Sequence, residues 1–360
     1  MNKRKCNVIA TVLLTLVISV SGCLTAFAEE PPSTAGGNLT DTITWSISGD
    51  VLTISGKGAM PAEGYTFPWQ EYSFSKVEIK DGITSIGGGA FSGCDLTSIN
   101  IPESVTSIGS SAFWGCGLTS ITIPEKVTSI EDWTFSDCSS LESITIPDTV
   151  TSIGYSAFSD CRSLESITIP ESVTEIEGDT FRKCSSLESI TIPDTVTSIG
   201  NAAFYKCKSL TSIKIPESVT SIGEQAFSDC RSLESITIPE SVTSIEDLTF
   251  CGCSSLTSVT IPESVTSIGN LTFSECKSLE SITIPESVTS IGEQAFSSCV
   301  SLTSVTIPES VTSIGEYAFV CSSKLKKVEI LGESRIDPSI FGERRGYEKK
   351  LAYSSIRKLK

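Results

Sequence analysis

There is no histidine anywhere in the 360 residues. That removes the commonest general base, the commonest metal ligand and the usual partner of a serine or cysteine nucleophile. Only carboxylate chemistry would be left to an enzyme. Positive charge is scarce as well, with 26 Lys and Arg against 43 Asp and Glu and a net charge of −17. Such a chain repels phosphate backbones, so a nucleic acid is not an expected partner. Beyond residue 28 no apolar run is long enough to cross a membrane. A 3.6-residue apolar period, the mark of a surface helix, is also missing.

What is present begins with a leader, residues 1–28. Lys3, Arg4 and Lys5 precede an uncharged apolar run from Val8 to Val20, and Ala26-Phe27-Ala28 puts small residues at both cleavage-site positions. This predicts a secretory signal peptide cut after Ala28. Inside it, Val20-Ser21-Gly22-Cys23 has the form of a lipobox, which would instead leave a lipid anchor on Cys23. Both cuts predict a secreted, extracellular or cell-surface protein.

The rest of the chain is dominated by one unit, Leu-x-Ser-Ile-Thr-Ile-Pro-Glu-Ser-Val-Thr-Ser-Ile-Gly-x-x-Ala-Phe-x-x-Cys. Its pre-proline isoleucine recurs from Ile101 to Ile307 at steps of 22 once and 23 thereafter, with degenerate copies at Ile79 and Ile330. In one copy, Ser143-Ile144-Thr145-Ile146 alternates polar and β-branched residues, which predicts a short strand with one buried face. Pro147 has no N–H and ends the strand. Val150 and Ile153 are expected to point into the core, Gly154 to take an unusual backbone angle, and Ala157-Phe158 to supply a plug. One unit cannot bury these side chains, whereas a stack of about a dozen can, at roughly 1.5–3 kcal/mol per large apolar residue. The expected fold is a solenoid with a curved parallel β-sheet on its concave side and short 3-10 or irregular segments opposite.

Four regions follow: 1–28 as leader, 29–74 as an N-terminal β cap, 75–331 as repeats, and 332–360 as a C-terminal cap or basic tail. Two alternating segments around Gly49-Asp50 predict a hairpin in the N-terminal cap, and Pro68-Trp69 with Tyr72 is expected to plug the joint to the repeats. The tail carries eight Lys and Arg against four Asp and Glu.

Repetition turns each position into a column. Ten cysteines from Cys94 to Cys299 share one slot, and Cys321 is shifted by one. One identical site per turn points to buried thiols, each serving its own turn. Disulfides between neighbouring rungs and metal binding are the alternatives. Cys251 leaves the pattern and is expected to be an exposed thiol. The residue after proline is acidic in ten successive units, from Glu103 to Glu309. Calcium needs six or more oxygens, and this turn offers one carboxylate, so solvated turn residues are the plainer reading. No cofactor or metal is expected, and no carboxylate pair stands out as catalytic.

Two surfaces are candidate binding sites. On the strands, Thr122, Thr145, Thr168, Thr191, Thr237, Thr260, Thr283 and Thr306 form a row interrupted by Lys214, beside a row of serines. Threonine is also simply a good exposed strand residue, and such an array could order water. Around the Phe plug the units differ, and Trp133, Tyr155 and Tyr205 appear there with basic neighbours. These aromatics suit a protein-binding patch and would equally pack between units.

The unit closely resembles BspA-type leucine-rich repeats over residues 75–331. Leu52-Thr53-Ile54-Ser55-Gly56 and Gly58-Ala59-Met60 before Pro68-Trp69 resemble the segment preceding such repeats in secreted proteins of gut-type Gram-positive bacteria. The resemblance implies a surface or secreted protein that mediates protein–protein interaction or adhesion on a host or microbial surface, without catalysis. A structural or glycan-binding envelope component, its basic tail on an anionic wall polymer, is the alternative.

Overall fold

The computed structural model describes residues 35–62, 64–331 and 338–342. The leader, Cys23 and most of the tail lie outside them. The described chain winds as a β-solenoid of parallel strands, and no α-helix occurs among the described residues.

Each turn has three sides, and each side bonds to its neighbours in its own way. The Ser-Ile-Thr segments pair in parallel and in register, as in Ser143↔Ser120, Ile144↔Ile121 and Thr145↔Thr122. At Lys214 the strand shrinks to a single bridge with Thr191. A second, shorter ladder follows the proline: Ser129↔Ser152 and Ile130↔Ile153. Ile153, expected to do no more than point inward, therefore also carries backbone pairing. Val150 and Ile153 are buried as anticipated. Hydroxyls reinforce this side. Ser218 donates to the Val196 carbonyl at 2.6 Å, and Thr151 donates to the Thr128 carbonyl at 3.2 Å.

The third side carries the Phe plug and is neither a strand nor a 3-10 helix. Its order comes from two left-handed residues per turn, two before and two after the Phe. Around Phe135 these are Trp133 (φ 54°) and Asp137 (φ 60°), and around Phe158 they are Ser156 (φ 54°) and Asp160 (φ 61°). Such a backbone costs a non-glycine residue about 1–2 kcal/mol. It persists because it aims alternate N–H groups at the next turn. Trp133, Phe135 and Asp137 donate to the carbonyls of Tyr155, Ala157 and Ser159 at 3.0, 2.9 and 2.7 Å. The amides between them close tight turns, as in Ser136 to Trp133 at 3.1 Å.

The glycine at the start of this side does a different job from the one anticipated. Gly154 is not in the left-handed region. A Cβ there would lie 2.4 Å from Asp132 Oδ1 and 2.7 Å from the Asp132 nitrogen. The Asp132 carboxylate folds over this glycine to accept the Tyr155 N–H at 2.8 Å. Asn201 and Asp247 do the same for Glu224 and Asn270, over Gly223 and Gly269.

Inside, the Phe rings from Phe91 to Phe319 form one column with centroids 5.3–5.7 Å apart and planes within 14° of parallel. Such pairs contribute about 0.5–1.5 kcal/mol beyond burial.

The ends are closed. Strands β1 (Ala35–Asn38), β2 (Ile43–Ser48) and β3 (Val51–Gly56) are antiparallel, and β3 then pairs in parallel with Lys76–Ile79, so the cap and the first repeat share a sheet. The expected hairpin is β2–β3, turning at Gly49 (φ 59°). Trp69 is fully buried and continues the Phe column, stacking on Phe91 at 6.0 Å, and its indole N–H donates to the Ala90 carbonyl at 2.8 Å. Phe67, not anticipated, completes this plug. Tyr72 does not: it is exposed and leans on Trp45. At the far end the 3-10 turn Pro338–Phe341 seats Ile340 in the core, and its Ser339 and Ile340 carbonyls accept the Tyr317 and Phe319 amides at 3.0 and 2.9 Å.

Candidate interaction surfaces

The strand face presents what its alternation dictates. Thr122, Thr145, Thr168, Thr191, Lys214, Thr237, Thr260, Thr283 and Thr306 are all exposed, in one row. The row offers hydroxyls at the spacing of parallel strands, about 4.8 Å. Immediately before each serine of the adjoining row stands a Thr or Glu, and this column is partly occupied with the fold: Thr257 donates to the Glu234 carbonyl at 3.0 Å.

The turn face is less uniform. Trp133 and Tyr155 are exposed at 43% and 40%, and their rings meet edge to face at 5.6 Å. The Tyr155 hydroxyl donates to Asp179 Oδ2 at 2.5 Å, and this bond raises the Tyr155 pKa. Arg182 binds the other Asp179 oxygen at 3.0 Å while its guanidinium lies 4.7 Å over the Tyr205 ring. Lys206 approaches the same ring at 4.8 Å. Trp133, Tyr155 and Tyr205 thus belong to one chain of contacts that crosses a turn at every link but Asp179–Arg182, which lies within one turn. Two neighbouring clusters continue it. Asp160 accepts Arg162 at 2.7 Å and Lys183 at 3.0 Å, which holds its carboxyl below the usual value despite partial burial. Asp229 accepts Arg231 at 3.0 Å with Lys206 at 4.0 Å.

These carboxylates were not singled out from the sequence. The signal that would have found them is column position: Asp160 and Lys183 stand 23 residues apart in the same slot, as do Lys206 and Asp229.

The cysteine column is structural. From Cys116 to Cys299, nine thiols each donate to the Phe carbonyl of the preceding turn at 3.1–3.3 Å, as Cys161 does to Phe135. All nine are free and buried, and burial pushes their pKa values up, to about 12 at Cys138 and Cys299. In the last repeat, where the cysteine is shifted, Ser322 takes over the slot and donates to Phe296 at 2.9 Å. Cys251 is not the exposed thiol expected. It is half-buried, and burial followed by the nearby Glu275 and Asp229 raises its pKa to about 11. The acidic residues after proline are exposed. No group of three or more Cys, Asp or Glu among the described residues is placed to hold a metal ion. No helix of the described residues is long and apolar enough to cross a membrane.

Comparison with known proteins agrees with this architecture. The family model for a BspA type leucine rich repeat region, in six copies, matches residues 63–188, 174–277 and 243–349. It describes a repeat region and indicates no enzyme. A leucine-rich repeat protein from Bacteroides ovatus is 26% identical, with a TM-score of 0.66, covering 90% of this chain and 100% of that one. A leucine rich cell surface protein from Faecalibacterium prausnitzii is 29% identical, with a TM-score of 0.52 over 90% of this chain and 99% of that one. The pneumococcal vaccine antigen PcpA, 18% identical with a TM-score of 0.59 over 91% and 98%, shares the fold. No protein of curated function matches. The chain belongs to the BspA-type leucine-rich repeat family.

Proposed function

We propose that this is a secreted or cell-surface protein that binds a protein on a host or microbial surface and performs no catalysis. The observation that carries the reading is the run of aromatic and cationic side chains from Trp133 to Lys206, exposed at Trp133, Tyr155 and Arg162 and half-buried at Arg182, Lys183, Tyr205 and Lys206. The Phe, Cys, Val and Ile columns already build and close the core; the run lies outside it, where it links neighbouring turns and still faces outward. Rigid scaffolds with exposed Trp, Tyr and Arg are the usual setting of protein-binding hot spots. The leader and the likeness to a cell surface protein support an extracellular location. Lipidation at Cys23 would tether the protein, whereas cleavage after Ala28 would release it, and the intact mass of the exported form distinguishes the two.

Surface plasmon resonance of residues 29–360 against a panel of host matrix proteins tests this function. Saturable binding is expected. Loss on changing Trp133 and Tyr205 to Ala places the contact on the turn face, and loss on changing Thr168, Thr191 and Thr237 to Lys places it on the strands. Silence across matrix proteins and intact cells would count against the reading.

A further inference from the structure

In a chain of net charge −17, the turn face gathers cations. Arg162, Arg182, Lys183, Lys206 and Arg231 are held there by three carboxylates, Asp160, Asp179 and Asp229. Asp160 and Asp229 each serve two cations. Asp137 also faces Arg162 and balances the first cluster, so the single positive charge in excess lies at the second, between Lys206 and Arg231. Toward the N-terminus the same face is aromatic, with Trp133 and Tyr155 exposed. The strip therefore has an apolar end and a cationic end.

It is also locked before any partner arrives. Asp179 clamps both the Tyr155 hydroxyl and Arg182, and Arg182 lies flat over Tyr205. Ordering these side chains on binding costs little, because their rotamers are already fixed. The strip runs over five successive turns, from Phe135 to Phe227. At the rung spacing that is about 20 Å, the reach of an extended segment of about six or seven residues.

We infer that this strip binds an extended acidic segment of a partner protein, with apolar side chains against Trp133 and Tyr155 and carboxylates against the cations between Arg162 and Arg231. The inference rests on the protein-binding reading above and adds the site and the chemistry of the partner. Local charge complementarity favours it: an acidic segment is repelled by the rest of this surface and attracted here, which also fixes its register.

The test is a selection of random twelve-residue peptides displayed on phage against residues 29–360, followed by fluorescence anisotropy of the winners. Enrichment of Asp and Glu with apolar residues at one end is expected. Binding should weaken at least about tenfold in Arg182→Ala and in the double variant Lys183→Gln/Lys206→Gln. It should weaken with added salt and stay unchanged in Thr168→Lys/Thr191→Lys. Lys206→Gln, which breaks the loosest ion pair and the contact over Tyr205, keeps the test valid if the double variant fails to fold. Uncharged or basic winners, no winners, or winners indifferent to the turn-face variants would each overturn the inference. So would polygalacturonate binding that the same variants abolish while no peptide is selected, since that would make the ligand an anionic glycan. Matrix-protein binding lost only in the threonine variants would sink this inference and leave the proposed function standing. Absence of all binding would sink both.

Discussion

The strand side and the turn side of this solenoid are built from the same units and solve the same problem in opposite ways. On the strand side the backbone is ordinary and the side chains do the specifying: a β-branched residue inward, a hydroxyl outward, almost without variation. On the turn side the backbone is unusual, with left-handed residues that include Trp133, Lys183, Leu248 and Gln294. Cross-turn amides, buried thiols and a continuous Phe column hold it, so its outward side chains can differ from turn to turn. The side with the stricter backbone is the freer in sequence, and the candidate site lies there.

The largest test of this contrast is alkaline pH. Burial raises each of the nine buried thiols from Cys116 to Cys299, to about 12 at Cys138 and Cys299 against an ordinary 9.0. A raised folded pKa gives stability that is fully present below the unfolded value and is lost as pH rises toward the folded one. Above about pH 9 each such thiol should cost about 1.4 kcal/mol per pH unit. Urea midpoints measured from pH 7 to 11 should fall steeply, and Cys207→Ser should make the fall shallower by one proton. A flat profile would refute this account of the column.

Next in size, Phe204→Ala should cost about 3–5 kcal/mol in equilibrium unfolding by opening the ring column, while Thr191→Ala on the strand face stays within about 0.5 kcal/mol. Gly223→Ala, whose Cβ would lie 2.4 Å from Asn201 Oδ1 and 2.6 Å from its nitrogen, should cost about 1–3 kcal/mol. A neutral result would show that neighbouring turns separate more readily than their packing suggests. Cys207→Ser at pH 7 should cost less than Cys207→Ala, because Ser322 already fills this slot with a hydroxyl donor. The alanine leaves the Phe181 carbonyl without its thiol donor, for about 1–2 kcal/mol. Smallest, and of opposite sign, Gln294→Gly should raise the unfolding free energy by up to about 1 kcal/mol, since Gln294 sits at φ 55°.

The strand side was legible in the sequence because its signals are local. The Ser-Ile-Thr-Ile alternation, the proline stop and the 23-residue spacing each act within one unit. The Phe, Val and Leu columns followed from the same pattern. The turn backbone was not legible, because Ser156, Asp160 and Gln225 carry no mark of a left-handed conformation. They adopt it for bonds to a neighbouring turn that no single unit reveals. Gly154 was noticed, but for the wrong reason: the constraint comes from Asp132, 22 residues earlier. At the candidate site, Trp133, Tyr155 and Tyr205 stood out by departing from the consensus. Asp160 and Asp229 did not, since Asp137 and Glu275 share their slot, and Asp179, the one acidic residue in its own slot, was passed over; only the geometry singles the three out as clamps.

One feature of the turn side reaches the whole molecule. From the first left-handed residue to the second, its cross-turn amides point the same way, each N–H aimed at the following turn, while the glycine amides at the start of the side, such as Gly154 to Ile130, point back. In the strands the bonds run in both senses, as Ile123 to Thr145 and Glu142 to Thr119 do, and largely cancel. The turn side is therefore a polar rod, akin to the aligned peptides of a helix, with carbonyls at its first turn and N–H groups at its last. The two caps match those poles. Trp69 and Gln70 bring N–H donors to the Ala90 and Gly89 carbonyls, and Ser339 and Ile340 bring carbonyls to the Tyr317 and Phe319 amides. Units can be added or removed between such ends without disturbing either cap, but the caps cannot be exchanged. A chain cut before residue 338 would end in a row of parallel amide donors, an electropositive seat ready for an anion.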